Sequence, residues 1–350
     1  MTGGRIRVAV AAPLKSQDAE FIQQVEPRIE LAYEPDLLPP MRWPADYSGD
    51  PHWSRTAEQQ AAYEAMLDHA DALYGIPDVD SEALARTVRA NPGLRWVHTM
   101  AAGGGGQVRS AELTTDELER VTFTTSAGVH AGPLAEFAVF GVLAGAKDLG
   151  RLRSQQRART WSGRWTMRQV AEQTVLVLGL GGIGRATVQK LHALGATVIG
   201  TSRRQVTTPG TDRVIHPDSI IEVAGTLDAV VNTLPGTDAT LHLIGSDFLS
   251  ALKPGATVVN VGRGTVIDEA ALLAALEAGN VGFAALDVFE AEPLEAASPL
   301  WERDDVLISP HTAALNDAEE RRIAELFAAN ATRLLDGAPL ANTVDTIEFY

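Results

Sequence analysis

Residues 175–184 constrain this chain more than any other stretch. Val175-Leu176-Val177-Leu178 is a short apolar run of β-branched and leucine side chains, and it passes directly into Gly179-Leu180-Gly181-Gly182-Ile183-Gly184. A helical pattern, Arg185 to Leu194, follows without a break. Strand, glycine turn and helix N-terminus in that order form the context in which G-x-G-x-x-G carries a physical meaning. Gly179 permits the tight turn, Gly181 lets a pyrophosphate approach the backbone, and Gly184 lets the helix lie close on the sheet. The first N–H groups of that helix, at Gly182 and Ile183, then face the phosphates. The segment predicts a dinucleotide-binding βαβ unit.

A chain of 350 residues has room for about two domains. Its net charge of −16 speaks against nucleic acid or an anionic membrane as a partner, since both repel an acidic surface. With no cysteine, a disulfide framework, thiolate chemistry and Cys-ligated metal are all excluded. No apolar run approaches the roughly 18 residues of a membrane span. Arg5 and Arg7 precede Val8–Leu14 in the manner of a secretory signal, but the apolar run is short and no cleavage site follows. A first β-strand is the better reading, and the cytoplasm the expected compartment.

The pattern predicts a strand over 5–12, a helix over 17–25, a helix over 56–70, and strands over 71–75 and 94–99. Residues 33–55, rich in Pro, Trp and Asp, read as an irregular excursion. After Leu94–Thr99 the chain runs into Ala101-Ala102-Gly103-Gly104-Gly105-Gly106, either a flexible loop or a close approach of backbone to a ligand. Residues 133–149 form an almost continuously apolar helical pattern, suited to burial between layers or subunits. Beyond it strands are expected near 174–179, 197–201, 228–232, 256–260, 282–286 and 305–308. Helices are expected over 182–194, 217–222, 246–251 and 268–278, and a last one over 317–336. Such alternation implies parallel, doubly wound sheets.

In a dinucleotide-binding unit an acidic residue about 20 positions past the glycines receives the adenosine ribose. Here that place falls to Ser202, followed by Arg203 and Arg204. A carboxylate would repel a 2′-phosphate, whereas a hydroxyl beside two guanidinium groups would hold it by charge-assisted hydrogen bonds. NADP(H) is therefore favoured over NAD(H). Three later segments place chemistry at strand ends: Val261-Gly262-Arg263-Gly264, Asp287-Val288-Phe289-Glu290-Ala291-Glu292-Pro293, and Ser309-Pro310-His311-Thr312. Ligands bind at that edge of an open α/β sheet.

With these segments in hand, the strings GLGGIG, VVNTLPGTDATLHLIGSDFLSALKPGATVVNVGRGTVIDEAALLAAL, ALDVFEAEPL, SPLW and ISPHTA together resemble the D-isomer-specific 2-hydroxyacid dehydrogenase family. The resemblance runs from about Arg95 to Leu340 and includes Gly128-Val129-His130-Ala131 and Glu136. It implies a Rossmann cofactor domain, 128–311, inserted into a flavodoxin-like substrate domain, 1–127 plus 312–350, and a homodimer built around the long helix after Gly128. It implies reduction of a 2-oxo acid to the D-2-hydroxy acid, with a catalytic trio of Arg263, Glu292 and His311. Glu292 is preferred to Glu290 because it directly precedes Pro293. Asp287 would hold the nicotinamide carboxamide, Leu234 and Pro235 the adenosine, and Val261 would border the cofactor. Asp268 follows the Arg-Gly motif as in relatives.

The implied roles are chemically sound. Arg263 can bind the substrate carboxylate bidentately while polarising the adjacent carbonyl. His311 would act as general acid in reduction and general base in oxidation, with Glu292 pairing with the imidazole to tune it. Where relatives carry Ala-Gly-Val-Asp or similar in the loop that meets the substrate carboxylate, this chain has Ala102-Gly103-Gly104-Gly105. Ala102, Gly103 and Gly104 would meet the substrate there through backbone. Trp43, Trp53, Phe349 and Tyr350 either line a pocket or simply pack. Two rivals share the scaffold. Formate dehydrogenases use a Gln with their His in place of the Glu-Pro carboxylate. A nucleotide-sensing corepressor-like binding protein would keep the trio but turn over poorly.

Overall fold

The computed structural model describes residues 4–347 and 349; Tyr350, one of the candidate pocket residues, lies outside them. Among the described residues the strands are β1 (Ile6–Val10), β2 (Ile29–Ala32), β3 (Ala72–Tyr74), β4 (Trp96–Thr99), β5 (Thr122–Thr125), β6 (Thr174–Leu178), β7 (Thr197–Thr201), β8 (Arg213–Ile215), β9 (Ala229–Asn232), β10 (Ala256–Asn260), β11 (Val281–Leu286) and β12 (Val306–Ile308). The chain divides into two compact units, Met1–His130 with Leu315–Tyr350, and Ala131–Ala314. No helix among the described residues is long and apolar enough to cross a membrane.

The first unit holds a five-stranded parallel sheet in the order β2-β1-β3-β4-β5, the flavodoxin-like arrangement. Its inner strands β1, β3 and β4 are buried almost throughout, as parallel strands covered by helices are. One of these is the returning helix Glu319–Leu335, whose Phe327 stacks on Trp96 at 4.5 Å and meets Tyr74 edge-on at 5.0 Å. Two residues past β4, the glycine-rich segment is no loose loop but opens a short helix, Gly105–Ser110. Gly104 is buried, and a side chain there would run into Thr99. Ala102 and Gly103 are exposed. The excursion over 33–55 is irregular apart from one 3-10 turn, Pro35–Leu37. Arg42 caps the exposed Trp43 ring at 4.1 Å, and the Ala45 N–H donates to the buried Glu320 at 3.2 Å.

The second unit is a seven-stranded parallel sheet, β12-β11-β10-β9-β6-β7-β8, in which the direction of winding reverses between β6 and β9. That is the Rossmann order with one added strand, and its switch point is where a dinucleotide crevice opens. The apolar helix runs Ala131–Ala146 rather than to 149. The chain then turns through Asp148, which has φ +56°, into a separate helix, Leu149–Arg157. Gly141 and Gly145 face the sheet: a Cβ on Gly141 would stand 2.8 Å from Val259 and 2.9 Å from Ala285. The helix is thus seated directly on β10 and β11, while Phe140 is 46% exposed.

Candidate active site

In a parallel sheet all C-terminal strand ends share one edge, so strand order dictates which loops are neighbours. Along this edge run the turn after β6 (Gly179–Gly184), the loop after β9 (Leu234, Pro235), then Arg263 after β10, Asp287 and Glu292 after β11, and His311 after β12. Ser202, Arg203 and Arg204 follow β7 on the other side of β6. Ala102, Gly103 and Gly104 belong to the first unit, past the end of β4.

The glycine turn fits a dinucleotide. Gly179 has φ +90°, a conformation in which a side chain is strained, and its N–H is held by Thr201 Oγ1 at 2.9 Å. Thr233 Oγ1 donates to the Leu178 and Gly179 carbonyls at 2.8 and 3.0 Å, bracing the turn from the far side of the switch point. A Cβ on Gly184 would collide with the Gly179 carbonyl, so that glycine seats the helix Gly182–Ala193. Gly181 has open space where its side chain would be, and no side chain caps the helix. The leading N–H groups at Gly182 and Ile183 are left to an anionic partner. Ser202 Oγ accepts the Arg204 N–H at 3.1 Å, which curls the loop. Arg203 and Arg204 are exposed and form no ion pair among the described residues.

Arg263 rides on a turn that only glycines permit. A Cβ on Gly262 would stand 2.5 Å from the Leu234 carbonyl, and one on Gly264 would strike the Phe289 backbone. Across the loop, a Cβ on Gly236 would come within 3.3 Å of Arg263 Cβ. The guanidinium is exposed and touches its own chain at the Gly262 carbonyl, 2.9 Å from Nη1. Among the described residues no carboxylate pairs with it, which leaves the charge for a ligand.

His311 and Glu292 meet across neighbouring strand ends: Nδ1 lies 2.7 Å from Oε2. The other carboxylate oxygen, Oε1, accepts the Phe289 N–H at 3.0 Å, so Glu292 is itself held in place. Because Nδ1 faces the carboxylate, Nε2 is the ring nitrogen left for chemistry on this half-exposed side chain. His311 has φ +53°, a left-handed conformation costing about 1–3 kcal/mol for a non-glycine residue. Asp287 supplies the restraint. Its carbonyl accepts the His311 N–H at 2.9 Å, while Oδ1 accepts from Ser309 Oγ at 2.6 Å and from the Thr312 and Ala313 N–H groups at 3.0 Å.

Sequence reasoning missed that latch, along with the bracing threonines and two buried asparagines, Asn232 and Asn260. The asparagines did leave a signal: each ends a central strand as Val-Val-Asn, a polar residue closing an apolar run. Glu290, set aside in favour of Glu292, pairs instead with His242 at 2.6 Å.

Comparison with known proteins identifies the family. Residues 139–313 match the family model for the D-isomer-specific 2-hydroxyacid dehydrogenase, NAD binding domain. The chain is 34% identical over 298 residues to glyoxylate/hydroxypyruvate reductase B of Serratia proteamaculans, covering 83% of this chain and 89% of that one. It is 30% identical over 303 residues to a glyoxylate reductase of Aeropyrum pernix, covering 82% and 87%. Among solved structures, a D-isomer-specific 2-hydroxyacid dehydrogenase of Xanthobacter autotrophicus in complex with NADPH and MES matches with a TM-score of 0.76 and 29% identity. That match covers 99% of this chain and 100% of the other. A Rossmann sheet with a glycine turn at its switch point, and relatives of this kind along most of the chain, lead to one conclusion: the protein belongs to the D-isomer-specific 2-hydroxyacid dehydrogenase family and is an oxidoreductase working with a nicotinamide cofactor.

Proposed function

We propose that the protein reduces a small 2-oxo acid of the glyoxylate or hydroxypyruvate class to the D-2-hydroxy acid, with NADPH as the preferred reductant. The observation that carries this reading is the 2.7 Å contact between His311 Nδ1 and Glu292. It sits one strand from Arg263, a cation with no acidic partner among the described residues. The unit around the glycine turn takes the cofactor, and Ala102, Gly103 and Gly104 are assigned to the substrate through their backbone.

Arg263 takes the substrate carboxylate through its planar fork and polarises the neighbouring carbonyl. Glu292 holds Nδ1–H and balances the imidazolium charge, so His311 presents a proton at Nε2. As the carbonyl carbon is reduced, His311 gives that proton to the carbonyl oxygen; in oxidation, neutral Nε2 takes it back. The nicotinamide, when bound, supplies the hydride. Asp287 keeps His311 in its left-handed backbone conformation, and its remaining capacity, with Val261, serves the carboxamide end of the cofactor. Leu234 and Pro235 border the adenosine end.

The preference for NADPH is read from Ser202, Arg203 and Arg204, and the relative from Xanthobacter autotrophicus holds NADPH. Replacing both arginines by alanine is expected to raise KM for NADPH by about 10- to 100-fold, the loss of a charge-assisted contact, and to leave KM for NADH nearly unchanged. Equal KM changes for the two cofactors would assign the preference elsewhere. Subunit association is read from the outer face of the helix Ala131–Ala146, where Phe140 and Val139, with Leu194, frame an apolar surface groove. Sedimentation should find a dimer, and Phe140→Asp should shift it toward monomer by placing a charge on that face.

The test of the activity is the initial rate of NADPH and of NADH oxidation with glyoxylate, hydroxypyruvate, pyruvate, 2-oxoisocaproate and phenylpyruvate. Rapid oxidation with one of the smaller acids supports the reading. Cofactor binding without oxidation of any of them would point instead to an unusual substrate or to the nucleotide-sensing binding protein.

A further inference from the structure

Two buried amides stand behind Arg263 and touch none of the groups given a chemical role above except through the backbone. Asn232 closes β9 and Asn260 closes β10, which pair side by side at the centre of the sheet. Their exposures are 0% and 1%. Asn232 Nδ2 donates to Asn260 Oδ1 at 2.8 Å. The same oxygen accepts the Gly262 N–H at 3.1 Å, and Asn260 Nδ2 donates to the Arg263 carbonyl at 3.1 Å. On the other side Asn232 Oδ1 accepts the Leu234 N–H at 3.1 Å. Backbone N–H groups can only donate, so Gly262 and Leu234 determine which end of each amide is oxygen.

An unpaired amide in this position would be costly, and an aliphatic residue would continue the strand more cheaply. What the amides add is a bridge between two turns, one leading to Leu234 and the other carrying Arg263. Gly262 and Gly264 have no side chains with which to hold the second turn. Its backbone is located by the amides instead.

We propose that Asn260, braced by Asn232, is a positioning residue that sets the backbone of Arg263 and so the placement of the guanidinium on the substrate carboxylate. This rests on the role given to Arg263 above. Asn260→Asp isolates the effect: the shape and the acceptor for Gly262 and Asn232 are kept, while the donor to the Arg263 carbonyl becomes a second acceptor facing it. The expected result is a KM for the 2-oxo acid raised about tenfold, with kcat lowered by less than about threefold and cofactor affinity, read by fluorescence titration, nearly unchanged. Asn232→Ala, which releases both turns, should weaken cofactor and substrate together. The double alanine variant should lose less than the product of the two single losses, because the residues share one network.

In Asn260→Asp a merely structural role would lower Tm and degrade cofactor and substrate binding in step; that result, or an unchanged substrate KM in this variant, overturns the proposal. Amide hydrogen exchange over 261–265 is the readout independent of turnover. It should quicken about tenfold in the variant while 175–178 exchange as in the parent, and unchanged exchange at 261–265 overturns the proposal as well. Should Asn260→Asp not fold, Asn260→Ser, which keeps a single hydroxyl, is read in the same way. If the parent protein reduces no 2-oxo acid, the functional reading fails on its own, and the exchange rates still decide whether Asn260 holds the Arg263 turn.

Discussion

His311→Asn is expected to lower kcat by about 10²–10⁴-fold while the protein stays folded and binds cofactor as before. Asparagine is the informative replacement because residue 311 has φ +53°, and asparagine adopts that left-handed backbone more readily than alanine does. Its N–H can still donate to the Asp287 carbonyl, so the loop keeps its latch and only the proton donor is lost. Steady-state kcat at saturating 2-oxo acid, with cofactor affinity and Tm measured alongside, makes the comparison. A kcat within about tenfold of the parent would remove His311 from the acid–base step.

Arg263→Gln should be nearly as severe, and in a different parameter. The substrate carboxylate loses its assigned cationic partner, so kcat/KM should fall by about 10²–10³-fold, the scale for truncating one side of a close charge pair. Cofactor affinity should hardly move. Arg263→Lys should recover only part of the loss, since an ammonium is a point charge without the planar fork that meets a carboxylate on two atoms. Equal losses for lysine and glutamine point to fork geometry as the decisive property. Full recovery by lysine would mean that charge alone suffices.

Much of the architecture could be read from the residues, and what was missed shares a cause. The buried central strands β6, β9, β10 and β11 carry apolar runs that stand out in the sequence. β2, β5 and β8 do not stand out in the sequence, and each is an edge strand of its sheet. These edge strands are short, and segments such as Thr122–Thr125 or Arg213–Ile215 hold too few apolar residues to give the signal that marks a centre. The apolar pattern shows the long helix but not its break, because Asp148 looks like any surface residue until its backbone turns left-handed. At the site, His311, Glu292 and Arg263 were legible as strand-end chemistry arranged by the resemblance. The side chains that hold them were harder to see. Asp287, Thr201 and Thr233 act through hydrogen bonds to backbone beyond other strands, and Asn232 and Asn260 meet side chain to side chain across two strands, so these contacts depend on which strands become neighbours.

The two glycines under the helix Ala131–Ala146 bear on how the molecule transmits force. With no side chain at 141 or 145, helix backbone rests on Val259, Ala285 and Thr257 with nothing compressible between them. Those residues lie in β10 and β11, the strands that lead into Arg263 and Asp287. A load applied to the outer face at Phe140 is therefore felt one helix diameter away, about 10 Å, by the strands that aim the site. Stiffness on the outside of this helix and precision at the ends of those strands are, mechanically, a single property.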